Sequence, residues 1–121
     1  MKLKNVLLVV NEIEKSVQFY KELFGLIVIR DFETNVILSE GLVLQERKTW
    51  EEGISQEISY GRNNALLYFE ERNLDAFIDK LNKSSFDIKY FGDKITDATG
   101  RCIIRLYDLD GHLIEVGEPF N

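Results

Sequence analysis

A carboxylate stands in an otherwise apolar run near the end of the chain. Glu115 lies between Ile114 and Val116, in a segment with the composition of a buried β-strand. Alternation along the strand places Leu113 and Glu115 on one face and the two branched neighbours on the other. Because an unpaired buried charge is costly, Glu115 needs a partner or a function. A carboxylate in this position suits general-base chemistry, ligand orientation or coordination of a hard cation.

Three carboxamides occupy positions comparable to that of Glu115. Asn5 and Asn64 each begin a mostly apolar run, and Gln45 lies near the end of another run, as Glu115 does. The asparagines match each other because the segments that follow them are alike, and Gln45 matches Glu115 because similar segments precede them. A repeated segment indicates a repeated structural unit. If the two units pack about a pseudo-two-fold axis, we expect the four side chains to converge in one cavity.

Hydrophobic periodicity and turn residues predict the elements that hold these side chains. The order is βαβββ twice over, which indicates an α+β fold with two modules in a pseudo-two-fold repeat, forming a curled mixed sheet around a cavity. We expect a single domain over residues 1–121, with module 1 at about 1–47, a linker at about 48–62 and module 2 at about 63–118. Residues 48–60 are predicted to be a loop with room for one helical turn. The predicted strands are Leu3–Val10, Leu26–Arg30, Asn35–Leu38, Leu42–Glu46, Asn64–Phe69, Phe86–Phe91, Cys102–Tyr107 and Leu113–Val116.

Caps and turns mark the ends of these elements. Asn11 opens a capping-box pattern for the first helix, and Gly25 is typical of its end. Asn73 is the expected cap of the second helix. The dipeptide Glu40-Gly41 predicts one turn, and Asp110-Gly111 predicts a type I′ hairpin turn between two strands.

Bulk composition excludes several classes of function. The chain has 121 residues and a net charge of −6, which argues against nucleic-acid binding. Cys102 is the single cysteine, so neither an intrachain disulfide nor a multi-cysteine metal site can form. No apolar stretch approaches the roughly 20 residues of a membrane span. We expect no signal peptide and a cytoplasmic location.

Two segments carry a resemblance to a known family. Residues 11–26 read NEIEKSVQFYKELFGL, and residues 106–116 read LYDLDGHLIEV. The first is similar to the helix motif of the vicinal oxygen chelate superfamily, which includes glyoxalase I, bleomycin-resistance proteins and extradiol dioxygenases. The second resembles that superfamily's Asp-Pro-Asp-Gly-His hairpin, with Leu109 in place of the usual proline. The resemblance covers essentially the whole chain.

The resemblance implies where a metal would bind. In metal-using members four cavity positions hold a divalent ion, and they correspond here to Asn5, Gln45, Asn64 and Glu115. The usual histidines are absent, and carboxamide oxygens suit Ca²⁺ or Mg²⁺ better than Zn²⁺ or Ni²⁺. We therefore expect no resident cofactor and no tightly held transition metal. A weakly held divalent cation on Gln45 and Glu115 is the alternative.

Other side chains are candidates for ligand contacts. Tyr68 shares the predicted cavity face, and Trp50 is interpreted either as part of an aromatic lid or as a dimer contact. Arg105, inside an apolar strand, is suited either to an anionic ligand group or to pairing with Glu115, and Arg47 and Arg101 offer similar guanidinium groups.

The histidine and the acids of the last turn have a structural interpretation and a functional one. His112 is interpreted as a turn-flanking residue, with a general-base role as the alternative. Asp108 and Asp110 resemble fragments of a calcium loop but are predicted to be turn residues.

Two functional hypotheses follow. The first is a small-molecule-binding protein of the superfamily, a homodimer without nucleic-acid or membrane partners. Its ligand would be oriented by Glu115 and the three carboxamides. The alternative is a metal-dependent lyase, isomerase or dioxygenase-like enzyme in which Glu115 is the catalytic residue, acting as a general base.

Overall fold

The computed structural model describes residues 1–120, and the chain divides into two compact units. The first unit is Met1–Ser59 and the second begins at Tyr60. Each contains a mixed sheet with the same strand arrangement, in which the first strand of the unit pairs in parallel with its last strand. The α+β class and the repeated module are therefore confirmed, with one sheet in each unit. The assignment of both modules to one domain stays a prediction.

The first unit has a four-stranded sheet in the order β1-β4-β3-β2. Its elements are β1 (Val6–Val10), α1 (Ile13–Phe24), β2 (Val28–Asp31), β3 (Asn35–Leu38), β4 (Leu42–Glu46) and α2 (Arg47–Ile54). Helix α1 contacts β3 and β4 and buries Phe19, Tyr20 and Leu23. The helical spacing predicted a different face, of which only Tyr20 is buried: Ile13, Val17, Tyr20 and Phe24. Gly25 ends α1 with a φ of 68°, which confirms its predicted role as the helix terminator.

The second unit repeats this plan with one helix, which is shorter than α1, and one additional strand pairing. Its elements are β5 (Leu66–Glu70), α3 (Leu74–Lys83), β6 (Lys89–Tyr90), β7 (Ile95–Thr96), β8 (Cys102–Tyr107) and β9 (Leu113–Gly117). The sheet order is β5-β9-β8-β6, and β7 also pairs with β8. The Asn73 side chain accepts a hydrogen bond from the amide of Ala76 at 3.0 Å, so its predicted capping role is confirmed. Among residues 1–120, no helix is long and apolar enough to cross a bilayer.

Helix α2 has eight residues in a segment that the sequence predicted to be a loop with room for one helical turn. Arg47 Nε lies 3.2 Å from a carboxylate oxygen of Glu51, one helical turn later, and that carboxylate also accepts the amide hydrogen of Ile58 at 2.8 Å. Pairs at this spacing stabilise a helix locally. The segment has paired charges and only two large apolar residues, Trp50 and Ile54, so its helical periodicity is short. Trp50 consequently lies half-buried on a helix.

The predicted cap of α1 is wrong by one residue. The helix starts after Glu12, which has extended backbone and makes no side-chain capping hydrogen bond. The carboxamide oxygen of Asn11 instead accepts a hydrogen bond from Arg47 Nη1 at 3.4 Å. A partner distant in sequence therefore takes the side chain that local pattern assigned to the cap.

The type I′ prediction for Asp110-Gly111 is wrong, and the turn predicted at Glu40-Gly41 is the one with type I′ geometry. In the β8–β9 loop only Gly111 has positive φ, and the amide of Gly111 donates to the Asp108 carbonyl at 3.2 Å. This is a turn followed by a left-handed glycine rather than a type I′ turn, because Asp108 also binds the loop amides with its side chain. The β3–β4 turn is the one with positive φ at both residues, 63° at Glu40 and 78° at Gly41, as type I′ requires.

Strand limits also differ from the sequence pattern. The first strand starts at Val6 rather than Leu3, and the fifth starts at Leu66 rather than Asn64. The predicted strand Phe86–Phe91 shrinks to Lys89–Tyr90. The residues that drop out have no paired residue in the neighbouring strand, although the Phe91 amide donates to the Arg105 carbonyl at 2.9 Å.

Candidate functional site

Three cross-strand neighbours form a polar row on one face of the second unit's sheet. Tyr68 of β5 lies opposite Glu115 of β9, and Glu115 lies opposite Arg105 of β8. Residues directly opposite each other project from the same face of a sheet. Arg105 Nε lies 2.8 Å from Glu115 Oε1, and the two side chains are 32% and 16% exposed. Of the two roles considered for Arg105, pairing with Glu115 is therefore present in the structure.

The opposite face of the same sheet forms the hydrophobic core of the unit. Ile114 and Leu106 are fully buried there, and Val116 is almost so. The alternation predicted for β9 is thus confirmed, with Glu115 on the face that stays partly accessible. Leu66 and Tyr68 on this accessible face are 46% and 43% exposed.

The first unit carries a matching polar pair at the equivalent strand positions. Gln45 of β4 lies opposite Asn35 of β3, and Asn35 Nδ2 donates to Gln45 Oε1 at 2.8 Å. Gln45 is only 8% exposed. Sequence reasoning selected Gln45 but missed Asn35. Asn35 occupies the position of Arg105 when the two sheets are aligned by their pairing, a correspondence that only the strand register reveals.

The two asparagines predicted to join the site lie outside the strands. Asn5 directly precedes β1, is exposed, and donates from Nδ2 to the Gly41 carbonyl at 3.4 Å. Asn64 precedes β5 and is also exposed. Their convergence with Gln45 and Glu115 stays a prediction.

The hydroxyl of Tyr68 belongs to a second network at the end of the polar row. Arg101 Nη1 donates to Tyr68 Oη at 2.6 Å, and Arg101 Nε lies 3.1 Å from Asp97 Oδ2. Gly117 makes room for this contact, since a Cβ there would come within 2.7 Å of the Tyr68 oxygen. The row and the network are therefore built on neighbouring positions of β5, β8 and β9.

The chain is similar to known proteins over almost its whole length. Residues 3–121 match the family model described as a glyoxalase-like domain. The chain belongs to the glyoxalase-like domain family. The predicted superfamily resemblance is thereby confirmed.

Solved structures agree with this assignment. A protein of unknown function from Agrobacterium tumefaciens is 32% identical, with a TM-score of 0.84 over 99% of this chain and 95% of that chain. A hypothetical protein from S. aureus is 21% identical, with a TM-score of 0.81 over 98% and 95% of the two chains. The fosfomycin resistance protein FosX from Listeria monocytogenes is 14% identical, with a TM-score of 0.74 over 99% and 94%. The last two show the shared fold alone. No curated protein matches.

At two of the positions that the resemblance assigns to a metal, donor atoms are already engaged by a neighbour in the same unit. Gln45 Oε1 accepts a hydrogen bond from Asn35, and Glu115 Oε1 is paired with the Arg105 guanidinium. A cation beside the one carboxylate opposes binding of a second cation. The remaining donors are carboxamides, which soft or borderline metals disfavour.

A second group of oxygen and nitrogen donors lies in the β8–β9 turn. One ligand atom each from Asp108, Asp110 and His112 lies within 4.8 Å of the others, an arrangement that a divalent cation can use. Asp108 is buried, and its carboxylate already accepts hydrogen bonds from the amides of Asp110 and His112 at 2.9 Å. His112 Nδ1 lies 2.8 Å from Asp108 Oδ2. These contacts agree with the predicted turn role of the three residues.

The histidine of this turn should titrate above its ordinary pKa of 6.5. Burial lowers the pKa of His112, but the hydrogen bond and charge of Asp108 and the charge of Asp110 outweigh burial, so the pKa is raised. Protonated His112 therefore stabilises the folded state fully below about pH 6.5, and this contribution is lost as the pH rises through the folded-state pKa. Since the chain has one histidine, an NMR titration of its ring protons is unambiguous. Asp108→Asn should lower the midpoint, and a midpoint at or below 6.5 in the wild type would contradict the structure.

Proposed function

We propose that this glyoxalase-like domain binds a small organic molecule against the polar row Tyr68–Glu115–Arg105. The observation that carries the proposal is a charged pair kept partly accessible beside exposed apolar and aromatic side chains. Ligand sites typically combine an apolar lining with a few positioned polar groups. Leu66 and Leu113 lie on the same face and would supply the apolar contact.

The other sequence-based assignments enter the proposal unchanged. Asn5, Gln45 and Asn64 would add polar contacts, and Trp50 would lie near the ligand. No resident transition metal is needed, because the ion pair itself supplies both charges that orient a ligand. A homodimer and a cytoplasmic location stay predictions.

An NMR screen of the isotope-labelled protein against a library of small organic compounds tests the proposal. A binder should shift the amide resonances of Tyr68, Arg105 and Glu115. Glu115→Gln should then weaken that binder by roughly tenfold, because it removes the charge of a partly buried hydrogen-bonding group. Asp87→Asn is the matched control, since Asp87 is an exposed carboxylate of the same unit. A binder that shifts none of the three amides would refute the proposed site.

The enzymatic alternative rests on the second oxygen of Glu115. Arg105 occupies Oε1, so Oε2 is the atom that a general base or a weakly held divalent cation would use. Incubation with methylglyoxal, glutathione and added Ni²⁺ or Zn²⁺ examines one such reaction. Turnover that disappears in Glu115→Gln would favour the enzyme over the binding protein.

A further inference from the structure

A cavity of about 440 Å³ opens at one end of the second unit's sheet. It lies where β5 and β9 finish and β8 begins, and its walls include Arg72, Thr99, Arg101, Glu118 and Phe120. Its volume falls in the range of small-molecule pockets. The polar row is on the neighbouring strand positions, and the Tyr68–Arg101 hydrogen bond joins the two.

The Arg101 guanidinium is held in one orientation at the wall of this cavity. Besides Asp97 and Tyr68, the carbonyl oxygen of Glu118 accepts a hydrogen bond from Arg101 Nη1 at 3.1 Å. The Phe120 ring centroid lies 3.9 Å from the guanidinium carbon, which places the aromatic ring against one face of the cation. With its side chain only 11% exposed, Arg101 has little freedom to reorient.

Two groups of cationic donors remain for a ligand. An arginine has five N–H donors, and the two on Arg101 Nη2 bind no residue within 1–120. Nη2 is not a fully buried atom, so a ligand or water can reach its two donors. Arg72, on the same cavity, is exposed and forms no ion pair with the described part of the chain.

The nearby acids are engaged by the protein itself. Asp97 Oδ1 accepts hydrogen bonds from the backbone amides of Thr99 and Arg101 at 2.9 and 3.1 Å. The Thr99 hydroxyl bond, followed by the Arg101 and backbone contacts, holds the pKa of Asp97 down at about 2 despite desolvation. Glu118 Oε1 accepts the amide hydrogen of Cys102 at 2.6 Å. Both acids thus accept backbone amides, and Asp97 also binds Arg101 Nε, whereas Arg101 Nη2 and the Arg72 guanidinium are left for a ligand.

We propose that the cavity binds the oxyanion group of an organic anion, with Arg72 and Arg101 Nη2 holding the carboxylate or phosphoryl oxygens and Phe120 packing against its flat apolar part. Guanidinium N–H groups form charge-assisted hydrogen bonds to carboxylate and to phosphoryl oxygens. The inference rests on the proposed small-molecule binding and adds the chemical class of the ligand.

Benzoate, phenyl phosphate and neutral benzamide are the probes, titrated into the labelled full chain and followed by NMR. Benzoate or phenyl phosphate should shift the amides of Thr99, Gly100 and Phe120, and benzamide should not. The ratio of the two anion affinities separates a carboxylate ligand from a phosphate ligand. Absence of these shifts at concentrations up to tens of millimolar, typical of very weak binding, would overturn the inference.

Variants at the exposed positions Arg72, Arg62 and Phe120 should fold normally. Arg72→Ala should weaken the better anion by about tenfold or more, because a charge-assisted hydrogen bond is lost. Arg62→Ala is the matched control, an exposed arginine of the same unit that does not line the cavity. Inorganic phosphate serves as an anion without a ring. Phe120→Ala should weaken the binding of benzoate more than it weakens the binding of inorganic phosphate. Equal affinities in Arg72→Ala and Arg62→Ala would contradict the proposed contact.

The library screen separates failure of this inference from failure of the proposed function. If a compound shifts the amides of Tyr68 and Glu115 while both anions leave Gly100 unchanged, the anion cavity is wrong and the binding function stands. If neither the library nor the anions shift any resonance, both proposals fail.

Discussion

Replacing Gly41 by alanine should destabilise the protein by about 2–4 kcal/mol, from the combined costs of left-handed backbone and overpacking. Gly41 has a φ of 78°, which an L residue adopts only with strain. A Cβ at this position would also lie 2.9 Å from the carbonyl oxygen of Lys4. That oxygen belongs to the backbone just before β1, so relief requires a shift of the strand itself.

Gly25→Ala separates the two costs. Gly25 has a similar φ of 68°, but a Cβ there would meet nothing within 4 Å. It should therefore lose only the backbone contribution, about 1 kcal/mol. Urea unfolding of both variants gives the difference as the cost of the close approach. Equal losses would mean that β1 yields freely at Lys4, against the parallel pairing that the structure shows between β1 and β4.

The repeated fold was predictable because short stretches of the sequence specify the elements of each module. Alternation, helical spacing and the glycine after Phe24 specify elements without knowledge of their partners. The same reasoning placed Glu115 on the accessible face of β9, and the observed register agrees. A strand's face is fixed by a period of two, so one correctly placed buried residue determines the others.

Features that depend on distant partners were not predictable in this way. Asn11 has the sequence of a helix cap but binds Arg47 instead. Helix α2 contains the Arg47–Glu51 pair, one helical turn apart, which a search for hydrophobic periodicity does not register. The type I′ turn formed at Glu40-Gly41 rather than at Asp110-Gly111, because the buried Asp108 side chain accepts a hydrogen bond from a backbone amide of the second loop.

The candidate site likewise contains residues that the sequence predicted and residues that only the structure reveals. Gln45 and Glu115 were selected from the sequence, whereas Asn35 required the strand pairing. For Arg105 the sequence left two roles open, an anionic ligand group or a carboxylate partner, and the structure shows the pairing with Glu115. Which groups remain for a ligand depends on the full hydrogen-bond pattern of Arg101, which no local pattern contains.

Arg105→Met should destabilise the protein by about 2–3 kcal/mol, because it leaves a mostly buried carboxylate without its partner. Glu115→Gln should cost less, since Arg105 is 32% exposed whereas Glu115 is 16% exposed. The arginine can therefore turn toward water, and the carboxylate cannot do so as readily. Urea unfolding at neutral pH measures both losses.

The Lys83–Asp79 pair provides a control at the same separation. Its nitrogen and oxygen also lie 2.8 Å apart, but the two side chains are 75% and 61% exposed. Solvent screens such a pair, so Lys83→Met should change the unfolding free energy little. A loss for Lys83→Met as large as that for Arg105→Met would show that burial does not decide the effect.

Removing both charges of the row separates its structural role from its binding role. The Arg105→Met, Glu115→Leu double variant should recover much of the stability lost in Arg105→Met, because no buried charge is left unpaired. It should nevertheless bind a compound that shifts Tyr68, Arg105 and Glu115 at least tenfold more weakly, since the groups that orient the ligand are gone. A double variant that is stable and binds as the wild type does would make the pair a packing feature alone. A stable variant that no longer binds would show that the second unit keeps a charged pair on its accessible face for the ligand rather than for the fold.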